Sequence, residues 1–160
     1  MLRLTNYKML DEQTPQGLFE LAKSYLRVSR YLVFNSPHAE AYATIFCVCH
    51  AIELTLKSFL RAKGDSIGSR RTHDIELLAR AAKQNGLDVT AGDEAVLIEI
   101  TRYVTGPKDG SGSQEPRYGS THTVTQPDGK IFSVIDIFHP RCLVEVAERL
   151  GHAAWPKEEL

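Results

Sequence analysis

The chain has 160 residues, 42% of them hydrophobic and 24% charged, which is the balance of a folded globular domain and excludes disordered and fibrous classes. That length fits a single domain, at roughly 150 residues per domain. The formal net charge of −1 supplies no overall field for nucleic acid or for an anionic membrane.

No stretch reads as the ~18 apolar residues that crossing a bilayer requires. The opening MLRLTNYKMLDEQ lacks a basic-then-apolar leader pattern, so the expectation is a cytoplasmic protein with no membrane partner. Three cysteines do not make a disulfide framework. Cys47 and Cys49 are i, i+2 neighbours in a helical pattern and point to opposite sides, so they cannot chelate one ion together. They and Cys142 read as small core hydrophobes.

Thr14-Pro15 marks a helix start, with Thr as N-cap and Pro at the first helical position, and the helix runs to about Phe34. Leu18, Leu21, Tyr25, Val28 and Leu32 advance by threes and fours and draw its packing seam. Asn35-Ser36-Pro37 breaks it. The second and longest helix spans about His38 to Ala62 and stops at Lys63-Gly64. Its seam, Tyr42, Phe46, Cys49, Glu53, Leu56 and Leu60, carries one carboxylate in an apolar face, so Glu53 is expected to be at least partly buried. A loop over Gly64–Ser69 follows.

Thr72-His73-Asp74 opens the third helix, with Ile75, Leu78 and Ala82 inward and a Schellman stop at Asn85-Gly86-Leu87. Asp93 is expected to cap the fourth, whose apolar side is Val96, Ile100 and Tyr103 or Val104. From Thr105 to Gly119 four glycines and two prolines make a long polar loop, of the kind that is functional or mobile. Residues 121–135 read as a β-hairpin turning at Pro127-Asp128-Gly129, which needs the helices for support. Pro140 opens the last helix, with Leu143, Val146 or Ala147, and Leu150 inward and Gly151 at its end. Trp155 seals that end of the bundle. The fold class is therefore all-α: one domain over residues 1–160, an up-and-down four- to five-helix bundle with a short β-hairpin inserted before the last helix.

The chemistry-bearing residues gather around the second helix. Lys57 lies four residues after Glu53 and His50 three before it, so His50, Glu53, Lys57 and Arg61 form a polar ridge. That ridge serves either as a satisfied ion pair or as a site lip in which Glu53 orients a base. Between residues 57 and 71, Lys57, Arg61, Lys63, Arg70 and Arg71 face only Asp65, and His73 follows. Such a cluster beside a helix N-terminus suits an anion. Residues 91–160 carry 7 basic and 11 acidic side chains, so an anionic partner should approach the second-to-third helix connection. Ligand-binding candidates are accordingly His50, Glu53, Lys57, Arg61, Arg70, Arg71 and His73. His38, His139 and His152 are scattered at helix ends, and no spacing fits a metal set.

The string from His50 to Gly64 (HAIELTLKSFLRAKG), followed by Thr72-His73-Asp74-Ile75-Glu76-Leu77-Leu78, resembles the two central helices of HEPN domains, the higher eukaryotes and prokaryotes nucleotide-binding family. The similarity covers the first three helices; the remainder agrees in the order of its elements. The resemblance implies an up-and-down helical bundle that pairs as a homodimer through its long helices. It also implies one of three functions. The first is an inactive module binding RNA, a nucleotide or a protein partner, with no cofactor. The second is a metal-independent endoribonuclease of the toxin or defence type, in which an Arg-x(4–6)-His motif from each subunit meets across the dimer. The third is a structural partner of a nucleotidyltransferase-like protein. In the nuclease the histidine handles the 2′-hydroxyl proton and the arginine neutralises the phosphorane. Arg117 and His122 fit that spacing and are the catalytic candidates. In the competing arrangement Arg117 pairs with an acid such as Glu53.

Overall fold

Helix boundaries fall where the sequence supplies a cap. The computed structural model describes residues 14–35, 41–105, 123–125, 131–133 and 140–157. Five α-helices lie among them: α1 Pro15–Asn35, α2 Ala41–Ala62, α3 Ile75–Gln84, α4 Ala91–Thr105 and α5 Pro140–Ala154. Thr14 caps α1, its hydroxyl accepting from Gly17 N at 3.0 Å. Asp74 caps α3 by accepting from Leu77 N at 2.9 Å. Both internal glycine stops adopt the left-handed conformation, Gly64 at φ +75° and Gly86 at φ +90°. In each, the following amide reaches back five residues, Asp65 N to Leu60 O at 2.9 Å and Leu87 N to Ala82 O at 3.0 Å. These are Schellman closures, and only glycine adopts that φ without a Cβ penalty.

Three boundary expectations are corrected. Thr90, not Asp93, is the N-cap of α4. Thr90 Oγ1 accepts from Asp93 N at 3.1 Å and Asp93 Oδ2 accepts from Thr90 N at 2.9 Å, a reciprocal capping box that makes Asp93 the third helical residue. Gly151 does not end α5: it is buried in the interior, and its carbonyl accepts from Trp155 N at 2.9 Å. Finally, Gly64–Ser69 is not an open loop. Ser66–Ser69 form a single 3-10 turn, capped by Asp65, whose two carboxylate oxygens accept from Ile67 N at 2.9 Å and Asn85 Nδ2 at 2.8 Å.

At the centre stands α2, in which every residue from Ala51 to Leu60 is buried. It packs most extensively on α1, then on α5, the 3-10 turn and α3. Ser58 Oγ donates to Pro15 O at 2.6 Å, and the Tyr25 and His50 rings meet edge to face at 4.6 Å. These two contacts run in opposite senses along the helices, so α1 and α2 are antiparallel. Ile52, Leu56 and Leu60 meet Ile75, Leu78, Leu97, Ile100, Leu143 and Leu150 in one core. At one end the Trp155 ring stacks on Phe19 with centroids 5.3 Å apart.

Several seams differ from their expected course. The inward stripe of α1 is Leu18, Ala22, Leu26 and Ser29, while Val28 is 47% exposed. Both stripes step by threes and fours from Leu18, and a helix apolar on more than one side leaves the choice to its neighbours. Phe46, expected in the α2 seam, is 51% exposed because α2 is surrounded only from Ala51 onward. In α4, Leu97 and Ile100 point inward with Val96 at the margin, and the Tyr103 and Val104 side chains lie outside the described residues. Cys142 is exposed rather than in the core, since it precedes the inward Leu143 by about 100° of helical turn.

The expectation that no stretch is long and apolar enough to span a bilayer is also corrected. Ala43–Ala62 meets that criterion by length and composition, although 72% of the apolar window is buried inside the bundle. Beyond α4, β1 (Thr123–Thr125) and β2 (Ile131–Ser133) pair antiparallel, with Val124 opposite Phe132. Residues 106–122, 126–130 and 134–139 lie outside the described residues.

Candidate functional site

Glu53 is placed by α2 in the core, 4% exposed, with its carboxylate directed to the start of α3. Lys57, one turn later and 9% exposed, donates to Oε1 at 2.7 Å. His73 Nδ1 lies 2.9 Å from Oε2. An ionised carboxylate only accepts, so Nδ1 carries the proton in this bond. The His73 side chain is 41% exposed and brings the bond to the surface. Three of the seven candidate ligand residues thus converge into one closed network.

The other four go elsewhere. Arg61 Nε donates to Gly68 O at 2.9 Å, holding the 3-10 turn against α2. Arg70 and Arg71 are exposed on the connection. His50 turns away from the ridge: its ring packs against Tyr25 of α1 and stacks on Phe46 at 6.0 Å. Burial lowers the His50 pKa, and the Glu53 carboxylate, which opposes this, is offset by His73 and Lys57. Lys63 lies over the Phe59 ring at 5.3 Å. The basic cluster of the sequence is therefore largely occupied in holding the fold.

Nor does the α3 N-terminus present free amides to a phosphate. Glu76 N donates to Thr101 Oγ1 at 2.6 Å, Leu77 N to Asp74 Oδ1 and Leu78 N to Asp74 O. The Asp74 carboxylate itself stands where an anion would bind. Cysteine nucleophiles are equally disfavoured. Burial, and then the neighbouring Glu53, push the Cys49 thiol up to about 12, and burial raises Cys47. Among the described residues no group of three or more His, Cys, Asp or Glu is placed to hold a metal ion. Arg117 and His122 lie outside the described residues, as do His38 and His139.

A second region emerges where the sequence pointed to core. Tyr31 is 66% and Phe34 65% exposed, on the same side of α1 as Val28. The antiparallel pairing puts Phe46, one turn beyond His50, level with Val28, so the exposed apolar side chains of α1 and α2 lie toward the same end of the helix pair. Arg141 of α5 covers part of the Phe34 ring at 5.9 Å. Around the rim, Arg30 pairs with Glu148 at 3.1 Å and Arg141 with Glu145 at 3.4 Å. The signal available in the sequence was surplus: Tyr31-Leu32-Val33-Phe34 is apolar all round, more than one packing seam consumes.

No family model matches the chain, and comparison with curated proteins and with solved structures finds no match. The likeness to HEPN domains thus rests on the residue strings alone.

Proposed function

We propose that this chain is a HEPN-like, cytoplasmic binding module that works as a homodimer through the aromatic face of α1 and α2. The observation that carries this reading is the exposure of Val28, Tyr31, Phe34 and Phe46, the large hydrophobic side chains left exposed among the described residues. Contiguous exposed aromatics rimmed by polar residues mark interaction surfaces, and Tyr, Phe and Arg are the side chains enriched in them. A second copy suits the rim, which carries both signs of charge (Arg30 and Arg141 beside Glu145 and Glu148), as a two-fold interface requires. In this reading β1 and β2 form a hairpin inserted before the last helix of an up-and-down bundle. Of the ligand classes expected of such a module, a protein surface is favoured over RNA or a nucleotide, because the α3 amides suited to phosphate are already bonded.

Sedimentation equilibrium of the purified chain beside the double variant Tyr31→Ser, Phe34→Ser tests it. The wild type is expected to sediment as a dimer at micromolar concentration and the variant as a folded monomer. A wild type that stays monomeric at the highest soluble concentration, or a variant that still dimerises, defeats the proposal.

A further inference from the structure

His50 stands apart from the bonds that Glu53 makes to Lys57 and His73, and its imidazole is seated among the rings where the two long helices meet. Tyr25 of α1 meets it edge-on at 4.6 Å, and Phe46 of its own helix stacks over it. The charged groups facing it are Glu53 and Lys57 from α2 and His73 from the approach to α3. Glu53 is committed to Lys57 at 2.7 Å and His73 at 2.9 Å, so its carboxylate has both oxygens engaged already. An imidazolium at position 50 therefore gains no hydrogen-bonded counter-ion from that network.

We infer that His50 makes self-association acid-sensitive: as neutral imidazole it is one more ring in the aromatic face, and as imidazolium it places a cation beneath the partner copy. This rests on the homodimer reading and names its regulation. The direction follows from proton linkage. In the folded monomer, burial already favours neutral His50. Covering the face with a second copy removes more water, so the dimer binds protons less readily than the monomer. Association is then full above the ordinary histidine value of about 6.5 and is lost as pH falls below it. Two imidazoles per dimer amplify the response. A rise in Kd of about tenfold or more is expected between about pH 7.5 and about pH 5.5.

The experiment is sedimentation equilibrium at both pH values on wild type, His50→Phe, His50→Gln and His73→Asn, with circular dichroism to establish that each is folded. The expected result is a dimer that loosens on acidification in wild type and His73→Asn and keeps its Kd in whichever uncharged His50 variant folds. A dimer that loosens equally without His50, or whose response disappears in His73→Asn instead, overturns the inference while leaving the dimer standing. A chain monomeric at every pH overturns the homodimer reading and the inference with it.

Discussion

The two ends of α2 reverse the usual placement of their residues in opposite ways. At its C-terminal end, Glu53 and Lys57 are buried and the charged groups around them are bonded: Lys57 and His73 on Glu53, Arg61 on Gly68 O, Asp65 on Ile67 N and Asn85. At its N-terminal end, aromatic side chains that a core would welcome stand in solvent. Polarity by itself therefore does not mark the surface proposed for association. A buried polar network that is fully bonded is a structural joint, and an apolar face with nothing on it is where free energy of association remains to be gained.

Breaking the joint has the largest expected effect. Glu53→Ala leaves Lys57 without its partner inside the bundle and removes the bond from His73 to α2. Loss of one member of a buried pair costs about 3–5 kcal/mol. Urea unfolding of the variant should show a drop of that order. The double variant Glu53→Met, Lys57→Leu, which replaces the pair by apolar bulk, should recover most of it. If the double variant stays as unstable as the single one, the network has a role beyond joining α2 to α3.

Gly68→Ala probes the same corner by shape alone. A Cβ there would lie 2.9 Å from Arg61 N, Leu60 Cβ and Lys57 O, two of which are backbone atoms that cannot swing aside. Overpacking of this kind costs about 1–3 kcal/mol, read as a lowered urea midpoint. Asp74→Ala, next in size, removes the cap of α3 and should cost about 1 kcal/mol. Neither change touches the aromatic face, so both variants should dimerise as tightly as wild type while folded.

The capped ends and the joint were legible in the sequence for local reasons. Thr14-Pro15, Asp74, Gly64 and Asn85-Gly86-Leu87 act over four to six residues, within the range that a string of letters displays. Glu53 stood out because a carboxylate interrupted an apolar seam. What the sequence left open is decided by neighbours distant along the chain. Whether Leu26 or Val28 of α1 turns inward depends on where α2 and α5 lie, and both choices satisfy helical spacing. Phe46 and Cys142 looked like core for the same reason. Asp93 was mistaken for a cap because its role is reciprocal: Thr90 supplies the cap and Asp93 answers it, while Arg149 of α5 closes on the same carboxylate. That last tie joins residues 56 apart in sequence.

The smallest effect on stability carries the sharpest test of the comparison. Tyr31 is 66% exposed and its ring enters no ring-to-ring or cation contact among the described residues, so Tyr31→Ser should change the stability of the monomer by no more than about 0.5 kcal/mol. On association the same change should be large, since truncating a central interface aromatic costs about 2 kcal/mol or more, and a two-fold dimer loses the ring twice. Measured on one sample, a nearly unchanged urea midpoint at low concentration with a Kd raised by well over tenfold separates the aromatic face from the buried joint: Tyr31 can be exchanged without cost to the fold because the fold never used its ring. If Tyr31→Ser instead destabilises the dilute monomer as much as Asp74→Ala does, the aromatic face belongs to the core after all and the contrast fails.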